Sequence, residues 1–360
     1  MPKTMKITIT IILIIIGIAV IAGLAYYGWG FVRELLFVSE ESPVGVTDES
    51  PTVLRQVFQN PAINYWLGYY IDFEGNIIKV GESEEEVVGR VNAAPILSVL
   101  PSQSGIEAVV AFGNPHNPQF SVFNASTTEW RPLGPETRAI AWSPDGLRLA
   151  SIESINGVTS IFTSGANGNK GNKIMDISLV DVGLEWIYEN KILITEKPSA
   201  LLTGSIWVID VKNKTIQLAA EAKGLILKQH QNKGIMFSVV DGFPLIELKT
   251  TDKDLPTIRL PFITLPEKCT IGDTNLYCAA PVNITDKILL PDDYLKKKFY
   301  SDDVIYEYAL DKKSIRTIFR LSQDSAIDAI NLKIIGDKLF FINRYDNYVY
   351  SIDLESADLE

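Results

Sequence analysis

The stretch Ala139–Ile152, AIAWSPDGLRLASI, constrains the fold most, because variants of it recur along the chain. Both arms are apolar, and Ser143-Pro144-Asp145-Gly146 reverses the chain between them. Pro presets φ, Asp bonds its own backbone and Gly accepts positive φ, so the stretch reads strand, turn, strand. Leu184–Ile194 (LEWIYENKILI) matches it, and Trp142 and Trp186 lie 44 residues apart. Related turns followed by an apolar strand occur at Gly105, Gly234, Asn275 and Gly336. The turn positions 105, 146, 190, 234, 275 and 336 are spaced by 41, 44, 44, 41 and 61 residues. The last interval is long by about one inserted loop.

A second pattern interleaves with the first: apolar strand, polar turn, strand. Copies are Asn76–Val91, Phe120–Leu133, Ile206–Leu218, Val304–Phe319 and Tyr348–Leu354. After Thr52 the patterning is of period two, and no long amphipathic helix interrupts it. A four-stranded unit repeating every 40–45 residues is the period of a β-propeller blade. The units fall at roughly 53–91, 94–134, 137–177, 178–222, 223–260, 261–321 and 325–355. The last shows only three strands, and Val53–Phe58 is expected to supply the fourth, closing the ring and removing the open sheet edges. The expected fold is all-β, a seven-bladed β-propeller, with six or eight blades as the alternatives.

Trp142-Ser143-Pro144-Asp145-Gly146 followed by an apolar strand resembles the WD-like repeat of TolB-type β-propellers. Only this unit carries the motif cleanly; Trp186 stands without the Pro-Asp-Gly. The resemblance implies a propeller over most of residues 53–355. It implies no particular activity, since propellers serve as binding scaffolds, enzymes and sensors alike.

The N-terminus reads differently. Ile7–Tyr27 contains no charged residue and is long enough to span a bilayer as a helix, which needs about 20 apolar residues. Lys3 and Lys6 precede it, while Tyr26, Tyr27 and Trp29 follow as an interfacial belt. The charge bias favours a cytoplasmic N-terminus and an extracytoplasmic C-terminal domain. The rival reading is a cleaved signal peptide ending near Gly23-Leu24-Ala25, against which the length of the apolar run argues. The expected division is therefore a cytoplasmic stub and transmembrane helix over 1–33, a linker over 34–52 and the propeller over 53–360.

The chain carries 33 bases and 44 acids, a net charge of -11. Residues 1–33 hold three bases (Lys3, Lys6, Arg33) and no acids, so the remainder has 30 bases against 44 acids, or -14. A domain that acidic is a poor partner for nucleic acid or an anionic lipid surface. Cys269 and Cys278 are the only cysteines. A turn centred on Asp273-Thr274 sets 269 opposite 278, at a Cα separation a disulfide tolerates. With an extracytoplasmic location a disulfide is expected, two reduced buried thiols being the alternative.

Asp292, Asp293, Asp302 and Asp303 lie in the insertion LLPDDYLKKKFYSDD. They suit either a cation- or ligand-contacting loop or helix and strand caps, with a short helix over Tyr294–Lys298. Their spacing does not fit an EF-hand, and capping is the favoured reading. No GxSxG, GxGxxG or P-loop occurs. No catalytic, cofactor-binding or metal-binding residue is assigned, and no cofactor is expected. The expectation is a single-pass, membrane-anchored extracytoplasmic propeller that binds a protein or ligand, its partner an envelope protein or cell-wall component. The alternatives are a glycan- or peptide-processing enzyme working at the mouth of the central channel, and a sensor acting through a partner.

Overall fold

The structure, a computed structural model, describes residues 53–81, 84–166, 171–179, 181–230, 232–250, 257–285, 287–321 and 326–354. All belong to the second of the two compact units, 1–48 and 49–360, into which the chain divides. The expected transmembrane helix and linker lie outside the described residues. Among those residues no helix is long and apolar enough to cross a membrane.

The described chain is all-β, with strands paired antiparallel to their sequence neighbours in six sheets. Sheet A comprises Ala62–Trp66, Tyr69–Asp72, Asn76–Val80 and Glu85–Arg90, and sheet B Ile96–Pro101, Glu107–Asn114, Asn117–Asn124 and Glu129–Pro132. Sheet C comprises Thr137–Trp142, Arg148–Ile155, Val158–Gly165 and Asn172–Ile177. Sheet E comprises Cys269–Ile271, Asn275–Pro281, Asp303–Ala309 and Ser314–Phe319. Sheet F comprises Ala329–Ile335, Lys338–Asn343 and Val349–Asp353, and its fourth strand is Arg55–Gln56 from the start of the domain. Arg55 pairs with Ser351 and Gln56 with Tyr350, as the sequence pattern anticipates for a closing strand. Tyr348–Leu354, expected as an outer hairpin, is a single strand, and its partner is this distant segment.

Sheet D is the exception, with seven strands from Val182–Tyr188 to Ile258–Arg259. Its middle strand, Thr215–His230, is 16 residues long and pairs first with Thr203–Asp210 and then with Lys233–Val240. The register shifts between Lys223 and Ile226, around Gly224. Gly224 has φ +64°, and a Cβ there would meet Val239 Cγ2 at 2.8 Å, so a side chain is excluded twice over. At this point an outer strand becomes the inner strand of the next four-strand set.

Buried apolar layers fill the spaces between successive sheets, not the faces of one large sandwich. Trp66, Ile71 and Ile77 of sheet A pack on Val110 and Phe123 of sheet B, and Val109 and Val122 of sheet B on Ile140 and Leu149 of sheet C. The series continues to Tyr65, Tyr70 and Ile78 against Ile342 and Val349, which joins sheet F back to sheet A. Each sheet is too small to bury a face alone, so stacking in a circle supplies the core. Inner strands are also braced to one another. Asn64 Nδ2 donates to Val99 O at 2.7 Å, Trp142 Nε1 to Leu100 O at 2.8 Å, and Tyr65 Oη to Asn331 O at 2.7 Å.

The Trp142–Gly146 motif builds a turn. Gly146 N donates to Ser143 O at 2.8 Å, Leu147 N to Asp145 Oδ1 at 3.0 Å, and the Ser143 hydroxyl bonds the Asp145 carboxylate. These hydrogen bonds hold the Asp145 carboxyl below its ordinary range. The sequence reading missed one copy, Trp66-Leu67-Gly68-Tyr69, where Gly68 has φ +70° and Trp66 Nε1 donates to Gly105 O at 3.1 Å. Its turn has two residues, like those at Glu189-Asn190 and Gly336-Asp337, and lacks the Pro-Asp of the motif.

Candidate functional site

Antiparallel alternation puts the second-to-third-strand loops and the inter-sheet connectors on one edge of every sheet, here called the connector face. The segment 282–302, between the second and third strands of sheet E, is the long interval seen in the sequence. It carries helix α1 (Asp292–Leu295), which starts and ends earlier than the Tyr294–Lys298 expected from sequence. The reason is local: Leu290-Pro291 leads directly into the turn, and Asp293 Oδ2 accepts Leu289 N at 2.8 Å.

This segment lies across the connector face. At one end Ala200 N, from the loop after Lys191–Glu196, donates to Asp292 Oδ2 at 2.7 Å, and Lys296 pairs with Asp292 at 3.2 Å. Leu290 and Tyr294 pack on Phe237 and Leu265 beneath. At the other end a buried ionic network ties it to sheets E and F. Lys268, whose side chain is 2% exposed, donates to Asp303 Oδ2 at 2.7 Å, Asp328 Oδ1 at 2.6 Å and Ser301 Oγ at 2.7 Å. Tyr294 Oη donates to Asp328 Oδ1 at 3.0 Å, and Arg344 Nη1 to Asp328 Oδ2 at 2.7 Å. The Arg344 guanidinium stacks on the Tyr294 ring at 3.9 Å and on the Tyr300 ring at 4.5 Å. Asp303 Oδ1 is buried with no hydrogen-bond partner, and burial, opposed by Lys268, leaves that carboxyl above its ordinary range.

The four aspartates singled out in the sequence therefore do not converge. Asp292 tethers, Asp293 caps, Asp303 joins the network, and Asp302 is exposed, its main-chain carbonyl accepting Val282 N at 2.8 Å. Among the described residues no group of three or more His, Cys, Asp or Glu is arranged to hold a metal ion. Cys269 and Cys278 form a disulfide with Cα atoms 4.2 Å apart, and the strand register pairs 269 with 278, 270 with 277 and 271 with 276, as read from the sequence.

Two features carry chemistry that the sequence did not reveal. The first is a cleft of about 950 Å³ on the connector face, between sheets A, B and F and the 282–302 segment. Its polar lining includes Glu74, Arg90, Asn92, Lys297, Tyr300 and Arg344. The connector wall is held by Val91 N donating to Gly75 O at 2.8 Å and Gly113 N to Pro95 O at 2.9 Å. Gly75 has φ +85°, and a Cβ would approach Val91 O to 3.0 Å, so a side chain here displaces the wall.

The second feature lies on the inner strands. Lys228 Nζ donates to Cys269 O at 2.7 Å, and the Lys333 ammonium bonds Tyr65 O and lies 4.6 Å from that ring's centroid. Glu185 and Glu267 supply opposing charge to Lys228. Desolvation pushes the Glu185 carboxyl up to about 7, against a hydrogen bond from Gln229 and the charge of Lys228. Desolvation lowers Lys333 to about 8, with help from Lys228. Both side chains keep partial solvent contact. Nothing in their sequence neighbourhoods separates them from ordinary strand residues.

The architecture is that of a β-propeller, and solved structures of that class are what the chain resembles. It is similar to the oligogalacturonate lyase of Vibrio parahaemolyticus, with 10% identity over 80% of this chain and 86% of that one, at a TM-score of 0.55. A prolyl endopeptidase structure matches at 10% identity and a TM-score of 0.54, covering 86% of this chain and 49% of that one, so this chain spans about half its length. TolB from Acinetobacter baumannii is similar at 10% identity over 71% of this chain and 66% of that one, at a TM-score of 0.43. No protein-family model matches the sequence. No match is found among curated proteins. At these identities the likeness establishes the fold alone.

Proposed function

We propose that the chain is a single-pass, membrane-tethered seven-bladed propeller whose extracytoplasmic domain works as a ligand-binding module, with its site in the connector-face cleft. Reading sheet D as two blades that share Thr215–His230 gives the count of seven. The apolar N-terminal run supports the tether and the location, and an envelope protein or cell-wall component is the partner class that follows from them. The observation that carries the reading is the cleft itself: about 950 Å³, polar and apolar groups together, and one wall built by the bolted 282–302 segment. Concave sites of this size are where propellers and other scaffolds hold ligands. Leu201, Leu202 and Phe243, exposed on connector-face loops, give a partner further apolar surface on the same side.

The test is a photo-crosslinking residue placed at Asn92 in the cleft or at Leu147 on the opposite face of the full chain, in intact cells. Adducts of defined mass from Asn92 and none from Leu147 are expected. Equal yields from both positions, or none from Asn92, overturn the reading.

A second reading, an enzyme working on a glycan or peptide in the channel, is favoured by one observation. Glu185 and Lys333 are both displaced towards neutrality on inner strands, where an acid and a base that exchange protons near pH 7 are useful. NMR titration of Glu185 separates the readings, because an ordinary carboxyl value removes this one.

A further inference from the structure

We propose that the cleft takes an acidic saccharide, a pyranose-type ligand bearing carboxylates; this rests on the reading of the cleft as the binding site. The chain is acidic, with 33 bases against 44 acids, yet the cleft lining has Arg90, Lys297 and Arg344 against the single carboxylate of Glu74. Arg344 is already bonded to Asp328 and stacked between two tyrosines, so it is a rigid wall with its charge partly spent. Arg90 and Lys297 are different. Both are exposed, and neither has an ion-pair partner among the described residues, though acids outnumber bases in this chain. One stands at the end of the last strand of sheet A and the other on the 282–302 segment, so two free cations border the same cleft from separate elements. A modest cation excess of this kind suits singly charged carboxylates, which a guanidinium grips by two hydrogen bonds.

The remaining lining selects the body of the ligand. Phe73 and Tyr300, 60% and 38% exposed, offer ring faces to the apolar C–H side of a sugar. Asn92 and Asn347 offer amides that both donate to and accept from hydroxyls. A volume of about 950 Å³ encloses a drug-sized ligand, on the order of two or three sugar rings. An acidic peptide satisfies the cations and its backbone satisfies the amides, but it lacks the flat C–H face that the two exposed rings suit.

The experiment is calorimetric titration of the full chain in detergent with a uronide trimer, its neutral methyl ester and triglutamate. The trimer is expected to bind, with the ester and the peptide each weaker by about tenfold or more. Arg90→Gln and Lys297→Gln, at exposed positions with no ion-pair partner among the described residues, are each expected to weaken the trimer by about tenfold and leave the unfolding midpoint unchanged. Ala93→Trp, which fills the cleft, is expected to abolish binding. If the ester binds as well as the acid while Ala93→Trp blocks both, the cleft stands as a site and the acidic class falls. If triglutamate binds as tightly as the trimer, the saccharide class falls. If Ala93→Trp leaves trimer binding intact, the site lies elsewhere and both readings fall. No binding of the trimer at millimolar concentration overturns the proposal.

Discussion

Lys268 is the residue on which the connector face turns. Its ammonium has three bonded partners and about 2% exposure, so removing it strands Asp303 in the core without a cation, whereas Asp328 keeps Arg344 and Tyr294. Breaking a buried ion pair from one side costs about 3–5 kcal/mol. Lys268→Met should therefore lower the unfolding free energy by that amount, read as a lower urea midpoint, and adding Asp303→Asn should recover part of it, since Asp303 Oδ1 already lacks a partner. Equal midpoints for wild type and Lys268→Met would show the network to be idle. Glu185 gives a pH-dependent counterpart. Its carboxyl titrates at about 7 when folded against 4.5 ordinarily, so between those values the folded chain holds a proton that the unfolded chain has released. Stability attributable to Glu185 is thus present below about pH 4.5, declines as pH rises and is lost above about pH 7, a difference of at most about 3 kcal/mol. Glu185→Gln removes this slope. Urea unfolding from pH 4.5 to 7.5 should show the variant gaining on wild type as pH rises, and a constant difference would contradict the displaced titration.

At the scale of elements, the hairpin Cys269–Cys278 and the segment 282–302 differ in how they could be read. The hairpin register was legible because a ten-residue interval with a central Asp-Thr turn admits one antiparallel pairing that opposes the two cysteines. Closing so short a loop restricts the unfolded chain modestly, by about 2–3 kcal/mol. Reduction, or Cys269→Ala with Cys278→Ala, should lower stability by about that much while the ligand binding proposed for the connector-face cleft persists. A loss of binding without a loss of stability would place the bridge in the site instead. The strands and turns were legible for the same kind of reason: period-two patterning and Gly at φ above zero are local chemistry, as at Gly105 and Gly146. The site was not. Arg90, Lys297 and Arg344 are 47 or more residues apart in pairwise order of the chain and meet only because the ring returns sheet F to sheet A. Likewise Lys268 and Asp328 are separated by 60 residues, and neither stands in a motif. Adjacency in sequence does not make a site of the aspartate pairs: Asp292 and Asp293 diverge on a short helix, and Asp302 and Asp303 at a strand entry, where successive side chains point to opposite faces.

At the scale of the whole molecule, closure rests on a small contact. Among the described residues, the start of the domain gives Val349–Asp353 only Arg55 and Gln56 as strand partners, and Val57 N adds a hydrogen bond to Val349 O at 2.9 Å. Phe58 supplies what those few bonds do not: its ring stacks on Tyr70 at 4.5 Å, 7° from parallel, within the layer that joins sheet F to sheet A. The same seam forms part of the cleft, through Ala62, Ile342 and Asn347. Deleting a buried Phe side chain costs about 3–5 kcal/mol. Because the apolar layers lie between successive sheets, that cost should fall on the seam before it reaches the ring as a whole. Phe58→Ala is therefore expected to lose hydrogen-exchange protection first at Val57, Tyr350 and Ser351, with sheets B and C keeping theirs, and to weaken in parallel the binding proposed for the cleft. If protection instead falls evenly through every sheet, the ring opens only as one cooperative unit and the first strand is no separable latch.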